Sequence, residues 1–122
     1  CTSSATPVIS GDWLMPNAHV TSVGYHPPSG ELDRGTIERG HLFVETRLAF
    51  DPPPAGCAEL AGLDPDLGTE IGEVLLGRRP GRESPAELTV YKAMGHACED
   101  MAAASLVYHR AKQEGAGTTI QL

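Results

Sequence analysis

At 122 residues the chain is sized for one domain around one hydrophobic core. Its 40% hydrophobic content predicts a folded protein, and no apolar run approaches membrane-spanning length. The formal net charge of −7 argues against a nucleic-acid backbone or an anionic membrane surface as partner.

Cys1, Cys57 and Cys98 are an odd, widely spaced set without a CxxC pair. That argues against a disulfide framework and favours a reducing, cytoplasmic setting. The five histidines show no HxxxH or HExxH spacing, so no metal site is expected. No basic-then-apolar leader opens the chain. It begins on Cys1 rather than Met, and Cys1-Thr2-Ser3-Ser4 reads as the end of a β-strand. The expectation is a processed protein or the second half of something longer.

In chain order, Ser10 or Asp12 is placed to cap one helical turn near Trp13. A turn at Pro16-Asn17 precedes a short strand over residues 18–23, which reads as covered on both faces and ends at Gly24. Residues 25–33 form a loop at that strand's C-terminal end, the ligand-bearing edge of a parallel sheet. Asp33 is the expected N-cap of a short helix with Ile37 inward and Gly40 as its stop. A second strand follows over 41–46, then a helical turn over 47–50.

Three consecutive prolines make 51–56 a rigid, extended linker. A helical turn at 57–60 and turn chemistry at 63–67 lead to a helix over 69–76, with Ile71, Val74 and Leu75 on one face. Residues 78–82 read as a basic, solvated loop. Thr89-Val90-Tyr91 is β-branched and aromatic, hence a strand. Gly95 permits a tight turn, and an Ala-rich helix runs to Gly115 with acids in its first turns and bases in its last. One face of it, through Ala97, Met101, Ala104, Tyr108 and Ala111, reads as core-packing. Gly115-Ala116-Gly117 follows a helix instead of a strand, so it is not a dinucleotide fingerprint. A short Thr119-Ile120 strand is expected in the tail.

Strand and helix alternation implies an α/β fold with a parallel sheet. The strand, the Gly95 turn and the helix start after it make a place where bare N–H groups can meet an anion or an amide. The plain alternative there is an α/β connection without a ligand.

Several stretches in series resemble the ornithine cyclodeaminase and mu-crystallin family. They are Pro7-Val8 with Gly11-Asp12-Trp13, Ala18-His19-Val20-Thr21-Ser22-Val23-Gly24, Glu31-Leu32-Asp33, Glu70-Ile71-Gly72-Glu73-Val74 and Thr89-Val90-Tyr91-Lys92 with Gly95. Glu99-Asp100, Ala102-Ala103-Ala104 and Tyr108 complete the series. The resemblance is to the family's C-terminal portion. It implies the second half of a Rossmann-type parallel sheet over 1–93. The long helix and tail over 94–122 would then reach toward a separate substrate and dimerisation domain.

The resemblance further implies NAD or NADP as cofactor and a small amino or imino acid as substrate. It also implies a homodimer in the full-length form. Carried over residue by residue, Thr2, Ser3, Val23, Gly24, Ala93 and Gly95 fall at cofactor-lining positions. His26 falls where ornithine cyclodeaminases have a catalytic Asp, and Ala93 where most members have a Ser. His26 either exchanges protons near neutral pH or is a surface-loop histidine. The function implied is an oxidoreductase or deaminase working on a C–N bond. The alternatives are a non-catalytic nicotinamide-binding protein and a fragment inert by itself.

Overall fold

The β-branched and apolar runs condense into strands, and all of them run the same way. The computed structural model describes residues 2, 4–24, 27–28 and 30–120. Its sheet contains β1 (His19–Ser22), β2 (His41–Val44), β3 (Gly68–Glu70) and β4 (Thr89–Lys92). Every pairing is parallel, in the spatial order β1-β4-β2-β3. β4 thus lies between β1 and β2, with Thr89 opposite both His19 and His41. Parallel pairing gathers the C-terminal ends of all four strands, at Ser22, Val44, Glu70 and Lys92, along one edge.

Helix α1 (Arg34–Arg39) starts where expected. The Asp33 carboxylate accepts the Thr36 N–H at 2.8 Å and the Gly11 N–H at 3.0 Å, so one side chain fastens two segments. A Cβ on Gly11 would lie 2.7 Å from the Thr36 nitrogen, so the approach requires glycine. Ser10, not Asp12, caps the turn at Gly11–Trp13.

Side chains alternate across each strand. Val90 meets Leu42, Val44, Phe50, Cys57 and Leu60 in the core, with Leu32 and Ile37 from beside and within α1. Two positions further along β4 on the same face, Lys92 is also wholly buried.

The structure departs from the sequence reading at several elements. Residues 68–70 form a strand, and the helix α2 (Ile71–Leu75) starts later than expected, behind a capping box between Glu70 and Glu73. Strand β3 lies close to the Phe50 ring because Gly68 lacks a side chain; a Cβ there would be 2.6 Å from the ring. Leu75, assigned to a shared apolar face, is exposed. Strand β1 is a sheet edge with His19 and Thr21 exposed, not a strand covered on both faces.

The proline segment folds into a turn, with the Ala55 and Gly56 N–H groups donating to the Pro52 carbonyl, so it is no extended linker. Arg82 is not merely solvated: it donates to the Asn17 and Ala18 carbonyls and to the Thr89 hydroxyl, tying the basic loop to β1 and β4. Among the described residues, Thr2 and Ser4 lie outside any strand, as do Thr119 and Ile120. Helix α3 (Ala97–Glu114) buries none of its residues, so its apolar face is not part of this core.

Candidate functional site

The site builds up from the C-terminal edge of the sheet. Ser22 and Lys92 are register partners, and the Ala93 N–H donates to the Ser22 carbonyl at 2.9 Å. Val23 and Ala93 therefore leave the sheet side by side. Thr2, Val23 and Gly24 open onto one groove of about 580 Å³, walled also by Val20, Trp13 and Glu31. Val23 is 56% exposed, whereas Ala93 is buried beneath the edge. Gly95 stands beyond, at φ +82°, in the left-handed region that favours glycine. Ser3 and His26 lie outside the described residues.

The start of α3 is not bare, contrary to the sequence reading. The Glu45 carboxylate, just past β2, accepts the Met94 N–H at 3.0 Å and the Gly95 N–H at 3.1 Å. His96 is the N-cap and its Nδ1 accepts the Cys98 N–H at 3.3 Å. Donors predicted to await an anion are held by the chain's own side chains.

Behind the groove lies a buried polar cluster. Lys92 Nζ donates to the Ser22 hydroxyl at 3.1 Å and to the Gly24 carbonyl, and it pairs with Glu59 Oε1 at 3.2 Å. The same Glu59 oxygen accepts the Glu31 and Leu32 N–H groups at 2.8 and 3.3 Å. The Thr2 hydroxyl donates to the Glu31 carboxylate at 2.5 Å and holds it below the ordinary carboxylate range. Glu31 packs so closely against Gly24 that a Cβ there would lie 1.9 Å from its carboxylate.

Sequence reasoning missed Glu31, Glu45, Glu59 and Lys92 as groups that shape this edge. Lys92 had a usable signal, since strand alternation puts it on the same side as Val90. Glu59 had none, because it comes from an irregular turn remote in sequence.

The groove pairs an apolar wall with a polar margin. Val20 and Val23 form the wall, and Thr2, Glu31 and the Gly24 backbone put polar groups at the margin. The sequence has no strand followed by a glycine fingerprint to hold a pyrophosphate. A second groove, of about 380 Å³ between His19, Phe43, Ile71 and Val74, contains none of the predicted site residues.

Comparison with known proteins gives this geometry a context. The family model for the ornithine cyclodeaminase/mu-crystallin family matches residues 1–115. Ketimine reductase mu-crystallin of Mus musculus is 36% identical over 108 residues, covering 88% of this chain and 33% of that protein. Thermococcus litoralis Delta(1)-pyrroline-2-carboxylate reductase, solved with NADH and L-proline, superposes with a TM-score of 0.77 at 28% identity. That match covers 98% of this chain and 38% of the other. The iminosuccinate reductase of Paracoccus denitrificans, solved with NAD+, gives 0.75 at 26% identity, over 99% of this chain and 38% of the other. The chain thus spans about a third of the length of these relatives. With its Rossmann-like parallel sheet and long C-terminal helix, the chain belongs to the ornithine cyclodeaminase/mu-crystallin family.

Proposed function

We propose that this chain is part of an NAD(P)-dependent oxidoreductase or deaminase acting on the C–N bond of a small amino or imino acid. The observation that carries the reading is the groove at the C-terminal sheet edge, where Thr2, Val23 and Gly24 converge in a chain of this family. When bound, the cofactor supplies or accepts the hydride. In this reading Val23 and Gly24 wall the nicotinamide, Thr2 and Ser3 line it from the preceding segment, and Ala93 and Gly95 contribute from the segment that follows β4. His26 handles the proton that accompanies hydride transfer.

The domain arrangement belongs to the same proposal. Residues 1–93 form the C-terminal half of the cofactor domain. Helix α3 exposes Met101, Leu106, Val107 and Tyr108, which suits packing against a substrate and dimerisation domain in a homodimer. The odd cysteine set accords with a cytoplasmic setting. No helix among the described residues is long and apolar enough to cross a membrane.

A second reading, a nicotinamide-binding protein without turnover, draws support from Ala93, which has no hydroxyl to offer a ligand. Spectrophotometric assay of NADH and NADPH oxidation with a cyclic imino acid, on the polypeptide that carries this chain, tests both. Turnover is expected. Saturable cofactor binding without turnover would favour the second reading.

A further inference from the structure

The buried pair Lys92–Glu59 holds neither strand ends nor core side chains alone; it joins the two ends of one connection. Lys92 reaches the Gly24 carbonyl, where the chain leaves β1. Glu59 reaches the amides of Glu31 and Leu32, where the chain comes back toward α1. The ion pair between them is 3.2 Å long, with side-chain exposures of 0% and 1%. Both ends are fitted to carboxylates: a Cβ on Gly30 would lie 2.2 Å from the Glu59 carboxyl carbon, just as one on Gly24 would meet Glu31. Gly30 also has φ +78°, so it is doubly suited to glycine.

A core that needed only stability would gain as much from an apolar pair of similar volume, because burying two charges costs desolvation that their attraction barely offsets. These charges do something an apolar pair cannot. Lys92 supplies directed donors and Glu59 directed lone pairs, and each finds a backbone partner on the same connection. The distance between Gly24 and Glu31 is thereby set from the interior, and Glu31 with its Thr2 partner is set with it.

We infer that Lys92 and Glu59 are positioning residues, which fix Gly24 and Glu31 against the groove and thereby align these two residues for chemistry there. The alignment concerns the site proposed above, so its turnover readout rests on that reading; its backbone readout does not.

The test compares the wild type with Lys92→Met/Glu59→Gln, which removes both charges and leaves the two amides only a weaker, neutral acceptor no longer held by Lys92. Glu59→Asp is the second variant: it keeps both charges but withdraws the carboxylate by one methylene. Amide exchange at Glu31 and Leu32, unfolding midpoint, kcat and KM are measured on the full polypeptide that carries residues 1–122, with NADH and a cyclic imino acid. In both variants exchange at these amides is expected to rise at least tenfold while the unfolding cooperativity is kept. kcat should fall tenfold or more, with KM for NADH within threefold.

Unchanged amide exchange in both variants would overturn the inference. So would faster exchange with an unchanged kcat, since the pair would then be merely structural. If the double variant does not fold, Glu59→Asp decides by the same criteria. If the wild type itself shows no turnover, the functional reading falls, and the exchange data alone decide whether the pair fixes the connection.

Discussion

Asp33 shows how much one side chain does when two segments depend on it. Its carboxylate takes the Thr36 N–H and the Gly11 N–H, and hydrogen bonding from Thr36, then from Gly11, holds it below the ordinary carboxylate range. Asp33→Ala is expected to destabilise the fold by about 1–2 kcal/mol in urea unfolding, near the upper end for a lost N-cap. Asp33→Asn, which keeps one acceptor, should lose less.

Cys57 illustrates the opposite shift. Burial pushes its thiol up to about 11 from an ordinary 9.0. A folded-state value above the unfolded one means that the folded protein binds more protons between them. The contribution of Cys57 to stability is therefore intact below about pH 9 and is lost as pH rises toward 11. In a thiol-labelling time course at pH 8, Cys98, which is exposed, should react at once, and Cys57 only on unfolding.

At the scale of elements, the core and α3 make contrasting predictions. Leu60 is fully buried among Cys57, Phe50 and Val90, although it comes from a turn. Leu60→Ala should cost about 2–5 kcal/mol, measured by chemical denaturation, because the sheet and the turn it bridges cannot both collapse onto the cavity. Helix α3 buries nothing in this chain. It is held by its own Ala-rich sequence, the His96 cap and Gly115 at φ +66°. Ending the chain after His96 should thus change the unfolding free energy of the sheet in urea by about 0.5 kcal/mol or less. A larger loss would show that α3 packs on the sheet in solution.

The molecule as a whole should bind a dinucleotide poorly by itself. On the proposed reading the groove takes only the ring end, and the sequence offers no glycine fingerprint for the phosphates. In a fluorescence titration with NADPH, the 122-residue chain is expected to show no saturation at micromolar cofactor. Acid should also weaken the fold. Hydrogen bonds from Thr2, Thr36, Arg47 and the Glu83 N–H hold Glu31, Asp33, Glu73 and Glu87 below their ordinary values. Lowered folded-state values give stability that is present above the unfolded values and lost as pH falls through the folded ones. Unfolding midpoints should therefore decline as the pH drops below about 4.

Much of this architecture was legible in the amino-acid sequence. β-Branched residues marked β1 and β4 and an apolar run marked β2, Asp33 and Gly40 bounded α1, and Gly115 bounded α3, because caps, turns and strand propensity act over a few residues. The ordered series from Gly11-Asp12-Trp13 to Glu99-Asp100 was enough to indicate the family. The sequence did not determine that β4 inserts between β1 and β2, that Gly68–Glu70 pairs as a strand, or that Glu45 closes the Gly95 turn. Nor did it bring Glu59 to Lys92, 33 positions away. Those outcomes depend on contacts between segments far apart in the chain. Only the folded core decides which carboxylate meets which amide, because burial there demands that every charge find its partner.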